Sequence, residues 1–123
     1  MKFNLEERLI NFAVLILEIT EKLPETRGSS HLSGQLVRCG TAPALHYGEA
    51  QSAESRKDFI HKMKIGLKEL KETRVCLKLL SRRKLAKSVE LISKENEELI
   101  AIVSKSIETA KKNKRATAEM RQK

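Results

Sequence analysis

Apolar residues recur along this chain at intervals of three and four, the spacing that puts them on one face of an α-helix, in four successive stretches. In the first, Leu5, Leu9, Phe12, Ile16, Ile19 and Leu23 form a narrow stripe, and Ile10, Ala13, Val14 and Leu17 make a second apolar face beside it. A helix of that pattern is expected to be buried on more than one side. Asn4 followed by Glu7 has capping spacing: the side chain accepts from a free backbone N–H, and the acid sits at the positive helix end. Pro24, Gly28 and the serines after it end the stretch.

The second stretch predicts a helix from about Ser29 or Ser30 to about Ser52, with Leu32, Leu36, Cys39, Gly40, Pro43 and Tyr47 along one side. Pro43 removes a backbone donor and crowds the preceding turn, so a kink or a break is expected there. The segment is small-sided, with Gly34, Gly40, Ala42, Ala44, Gly48, Ala50 and Ala53, which predicts close helix approach.

Ser55 with Asp58 repeats the capping spacing and opens a third helix, Arg56 to about Ser81, whose stripe is Phe59, Met63, Gly66, Leu67, Leu70, Leu77 and Leu80. A short basic connection, Arg82 to Lys87, leads to Ser88 as the cap of a fourth helix that runs to about Lys112. Val89, Ile92, Leu99, Val103 and Ala110 line up on it, and Asn96 is the one polar intruder, either buried to fix register or seated at the stripe edge, the edge being the default. Four amphipathic helices on short connections bury their stripes most simply as an antiparallel up-down-up-down bundle. The predicted fold class is therefore all-α: a single domain over residues 1–112, then a basic tail, 113–123, expected to be frayed or disordered because it has charge and no stripe.

A chain of 123 residues is long enough for one core but not two, and aromatics at 3% favour helices packed by aliphatic side chains over a β-sheet. Cys39 and Cys76 belong to no CxxC or Cys/His cluster, so reduced core thiols are expected. The longest apolar run, Phe12 to Leu17, is far short of the roughly 20 residues that span a bilayer. No secretory pattern precedes it, which points to a cytoplasmic protein without membrane partners.

Charge changes the picture more than composition does. Residues 1–55 carry five basic and seven acidic side chains, whereas residues 56–87 carry twelve basic and three acidic. On the third helix Lys57, Lys64, Lys68, Lys71, Lys78 and Arg82 project within an arc of about 80°, away from the core stripe. The ridge they form reads either as a solvated face kept soluble by lysine or as a surface for RNA, DNA or another polyanion. Without Trp and with a single Tyr, base stacking has little to work with, so nucleic-acid contact is expected to be led by phosphate and sensitive to salt. The competing reading is a scaffold or protein-interaction module whose basic face meets an acidic protein.

Candidate chemistry is thin. His31, His46 and His61 have no metal-ligand spacing with one another or with cysteine, and no HExxH, P-loop or GxGxxG occurs. Ser55, Asp58 and His61 fall at three-residue steps, but capping accounts for the first two. Glu49 and Glu54 are isolated carboxylates rather than a pair held for acid–base work. The expectation is a non-enzymatic protein with neither metal nor cofactor.

The run Gln35-Leu36-Val37-Arg38-Cys39-Gly40-Thr41-Ala42, followed by His46-Tyr47-Gly48-Glu49-Ala50 and Glu54-Ser55-Arg56-Lys57-Asp58-Phe59-Ile60, resembles the signature of the 23S rRNA intervening-sequence proteins. The likeness extends from Phe12 to Asn113, through the Phe-Ile-x-x-Met-x-Ile-Gly-Leu-Lys-Glu-Leu helix to the closing Thr-Ala-Lys-Lys-Asn. It implies an antiparallel four-helix bundle assembled with itself into a ring-like homopentamer. Relatives of the same fold are basic accessory proteins of diversity-generating retroelements, which implies RNA or DNA, and a reverse transcriptase or other protein, as partners. Gln35, Arg38, Tyr47, Glu49, Arg56, Asp58 and Phe59 match the family signature and are assigned structural or interface roles, with Arg38, Glu49 and Arg56 expected to pair across helices or subunits. This chain departs from the pattern where His46 stands in place of a frequent Asn and Gly-Glu-Ala replaces Ala-Glu-Gly, which puts that polar contact in doubt.

Overall fold

Helix α1 (Leu5–Glu21) begins where the Asn4 side chain accepts a hydrogen bond from the Glu7 N–H at 3.1 Å, and α3 (Arg56–Arg82) begins where Ser55 accepts from the Asp58 N–H at 3.0 Å. Both caps are those expected from the spacing. Between them α2 (Arg27–Gln51) starts two residues earlier than the serines suggest, because the Thr26 hydroxyl, rather than a serine, accepts from the Ser29 N–H. Helix α4 is Val89–Gln122. The computed structural model describes residues 4–122, with side chains through Asn113, and among the described residues there is no strand. The fourth helix is expected to end at about Lys112, whereas α4 continues to Gln122; the side chains of the expected frayed or disordered tail, 113–123, lie, beyond Asn113, outside the described residues.

Consecutive helices pack on one another, α1 on α2, α2 on α3 and α3 on α4, and α4 returns to touch α1 more sparsely. Packed neighbours joined by connections this short run antiparallel, so the chain rises and falls around a single core. Leu9, Phe12 and Ile16 of α1, Leu36 of α2, Leu70, Leu77 and Leu80 of α3 and Leu99 of α4 are almost wholly buried there. Ile60 and Cys76 of α3 and Ile100 and Ile107 of α4 join that core. These four residues broaden the stripes read from the sequence. Cys39 and Cys76 are free and buried, and a shared hydrogen bond, aided by burial, pushes the Cys39 thiol up.

Pro43 lies inside α2 and does not break it. The ring is buried against α3, where the Cβ that Gly66 lacks would lie 3.7 Å from His46 Cβ and 3.9 Å from Pro43 Cα. Packing therefore holds a helix that the missing backbone donor weakens. Gly40 makes the closest approach of all: an added Cβ would sit 2.7 Å from Ile16 Cγ2 and 3.1 Å from Ile16 Cβ. Because the branch point itself is in the way, α1 and α2 would have to separate. Gly40→Ala is accordingly expected to destabilise the fold by about 1–3 kcal/mol despite alanine's better helix propensity. Gly34→Ala and Gly48→Ala, with nothing within 4 Å of the new methyl, should each stabilise it by about 0.5–1 kcal/mol. Urea unfolding of the three variants checks both signs.

Asn96 is buried, at 1% exposure, and not at the stripe edge. Its amide Nδ2 donates to the Leu70 carbonyl at 3.1 Å and ties α4 to α3, while Oδ1 is buried with no hydrogen-bond partner among the described residues. Half of the amide thus bears a desolvation cost without a matching bond. Asn96→Leu, which removes both ends of the amide while keeping its branched shape, is expected to raise stability by about 1 kcal/mol. Thermal unfolding checks it, and a lower midpoint would show that the single bond outweighs the orphaned oxygen.

Candidate functional site

Ion pairs sort the cations of α3 into two sets. Those at the seams between helices are occupied: Lys62 meets Glu49 of α2 at 3.0 Å, and Arg74 makes a two-pronged contact with Glu97 of α4 at 2.6 and 2.8 Å. The Arg74 hydrogen bond holds Glu97 below the usual carboxylate range, and Lys62 does the same for Glu49. Two of the three acids of α3 are engaged as well, since Arg38 of α2 bonds Glu69 at 2.9 Å and also bonds Glu72. These ion pairs draw the carboxylates toward the seams between helices.

That outer face carries the other set. Lys57, Lys64, Lys68, Lys71, Lys78 and Arg82 are all exposed, and none takes part in an ion pair among the described residues. Lys78 alone acts at longer range, helping to lower Glu97. Val75 and Leu79 are exposed on α3 too, leaving aliphatic surface alongside the ammonium groups. The ridge is thus open to solvent along the length of the longest fully described helix, as the spacing predicted. Neighbouring like charges on it repel by a few tenths of a kcal/mol per pair, a cost that a bound polyanion would remove.

The signature residues cluster where α2 faces α3. Arg38 spans to Glu69 and Glu72 and bonds Gln35 on its own helix at 3.0 Å, and Glu49 takes Lys62, so two of the three expected cross-helix pairs form within one chain. Arg56 is exposed and in no ion pair among the described residues. Tyr47 and Phe59 are half-buried against the core, and Asp58 lies in the first turn of α3, where its charge faces the positive helix end. His46 packs near Gly66, with its Nδ1 buried and without a hydrogen-bond partner among the described residues. Sequence reasoning missed the seam between α1 and α4, where Arg8 bonds Glu95 and reaches Glu98 at 2.8 Å, because such distant partners have no local spacing to reveal them.

A second surface emerges on the α1–α2 pair. Ile10, Val14 and Leu17 are exposed in the single chain rather than buried on the second side that their pattern suggested. Val37 and Leu45 of α2 are exposed too, Leu45 at 68%. Gly40 of α2 contacts Ile16 of α1, so both exposed aliphatic sets stand on two helices that pack side by side. Among the described residues no three His, Cys, Asp or Glu side chains gather as a metal would require, and no helix is long and apolar enough to cross a membrane.

A four-helix bundle with a cationic outer ridge and an uncovered aliphatic face is the class of protein that these features define. The model of the 23S rRNA-intervening sequence proteins matches residues 2–119, and the chain belongs to that family. It is also similar to a solved structure from Bacteroides thetaiotaomicron, a protein of unknown function from the S23 ribosomal protein family. The two share 31% identity and superpose with a TM-score of 0.79 over 85% of this chain and 98% of that one. No curated protein matches.

Proposed function

We propose that the chain is a non-enzymatic, homo-oligomeric accessory protein whose α3 ridge holds the phosphate backbone of RNA or DNA. The observation that carries this reading is the division of the α3 cations: seam residues are paired with carboxylates, while six outward ones are exposed and in no ion pair among the described residues. A helix of that construction presents evenly spaced positive charge with no aromatic platform, which suits a backbone and not a base. Family membership supports self-assembly into a ring, and the aliphatic face on α1 and α2 supplies a surface that would be covered by it. Each subunit then adds a weak electrostatic contact, and avidity makes the sum useful.

Anisotropy of labelled structured RNA and duplex DNA, titrated with the protein at low and high salt, tests the reading. Binding is expected at low salt and should weaken steeply as salt rises. Absent or salt-independent binding would remove the proposal.

A further inference from the structure

A cleft of about 660 Å³ opens at the end of the bundle where α1 finishes and α3 turns into α4. The turn that shapes it is a Schellman motif. The Leu85 N–H bonds the Leu80 carbonyl and the Lys84 N–H bonds the Ser81 carbonyl, both at 3.1 Å, with Lys84 in the left-handed region at φ 54°. That geometry folds Leu85 and Ala86 back onto the core and leaves the connection to climb into α4 through Ser88, left-handed as well at φ 67°. The Arg8 pairs close the α1–α4 seam on one side, and the rest of the seam is the cleft.

Its two walls are aliphatic, Leu15 and Ile19 from α1 and Leu91 and Ile92 from α4. Leu91 is 74% exposed and Leu15 is exposed too, so large apolar side chains stand wet at the opening. Lys22, Lys84 and Lys87 surround them, none in an ion pair among the described residues, against one carboxylate, Glu18. The first turn of α4 borders the same space, where its positive end is partly offset by a second carboxylate, Glu90, at the rim, so cations still outnumber acids there by three to two.

We infer that this cleft is a docking site for an acidic peptide segment of another protein, whose leucine- or phenylalanine-sized side chain fills the aliphatic walls while its Asp or Glu side chains meet Lys22, Lys84 and Lys87. Charge complementarity selects the occupant: an apolar anchor alone would strand the three ammonium groups, and a nucleic-acid backbone would leave Leu15 and Leu91 in water. A small apolar ligand would stay half wet in so open a cleft, whereas an anchor projecting from a polypeptide is capped by its own chain. The site lies past Arg82, where the ridge ends, so a protein partner and a polyanion would bind side by side. This goes beyond the ridge reading and stands or falls separately from it.

A display library of random short peptides, selected on the full oligomeric protein and counter-selected against Leu91→Asp and Lys87→Glu, tests the site. Both residues are exposed, and unchanged thermal unfolding confirms that the variants are folded; Lys84 is left alone because its backbone is left-handed. The expected result is enrichment of peptides that combine Asp or Glu with a large apolar residue, each losing at least about tenfold in affinity on either substitution. Nucleic-acid binding should be unaltered by Leu91→Asp. The site is overturned if no selected peptide depends on Leu91 and Lys87, or if the dependent peptides are neutral or basic. A Leu91→Asp variant with altered oligomer mass would also overturn it, by assigning the cleft to contacts between copies of this chain.

Discussion

Replacing Lys64, Lys68 and Lys71 together by Glu is expected to lower affinity for duplex DNA and structured RNA by about a hundredfold or more at moderate salt. The three side chains occupy the middle of the ridge, are exposed and have no ion-pair partner among the described residues, so whatever they do is done toward solvent or a ligand. Reversal removes three phosphate contacts and adds three repulsions. The slope of log affinity against log salt should fall by about three. Stability should hold or fall slightly, because the three reversed positions remain like-charged with one another on adjacent turns and position 68 now faces Glu72 four residues on. Reversing Lys94 and Lys105 on α4, exposed and off the ridge, serves as the control and should cost much less. Equal losses per reversed lysine in the two variants would mean that net charge, and not the ridge, governs binding.

The second large effect is expected at the aliphatic face of α1 and α2. On the proposal that copies of the chain assemble through this face, lysine at both Val14 and Leu45 should leave only monomers across the micromolar range, read by light scattering after gel filtration. Burying an aliphatic side chain at an interface is worth about 1.5–3 kcal/mol, and burying an unpaired ammonium group costs more than that, so two substitutions raise each dissociation constant by a hundredfold or more. In the single chain Val14 is 45% and Leu45 is 68% exposed, so helicity and the cooperative unfolding of the monomer should survive. An assembly of unchanged mass would place the subunit contact elsewhere.

Local signals in the sequence translated directly into structure, and non-local ones did not. Asn4 and Ser55 announce their helices because a cap depends on a residue and the N–H three positions on. The Thr26 cap is masked by the serines behind it, since several nearby hydroxyls compete and only packing decides where α2 begins. Pro43 shows the same override, its helix held by α3 against the cost of a missing donor. Asn96 sits on the stripe by spacing, but whether such a residue is buried depends on the helix opposite, here on the Leu70 carbonyl.

The ridge was legible because all six cations lie on one helix, where spacing fixes direction. That they are unpaired was not legible, since it depends on Arg38, Arg74 and Lys62 engaging the nearby acids from other elements or at other seams. The α1–α2 face was half visible: Ile10, Val14 and Leu17 stood out as a second apolar set, while Val37 and Leu45, eight residues apart on one side of α2, were hidden among small residues. The cleft near Leu91 was invisible, because it depends on how a turn between two helices folds back on a third.

The central claim, that the α3 ridge is the surface presented to a polyanion, is tested most directly by lysine footprinting. The protein is labelled with an amine-reactive acetylating reagent with and without saturating duplex DNA at low salt, and each lysine is read by mass spectrometry. The account predicts strong protection at Lys57, Lys64, Lys68, Lys71 and Lys78, with Lys94 and Lys105 labelled as before. Protection spread evenly over all exposed lysines, or ridge lysines already shielded in the protein without DNA, would contradict it.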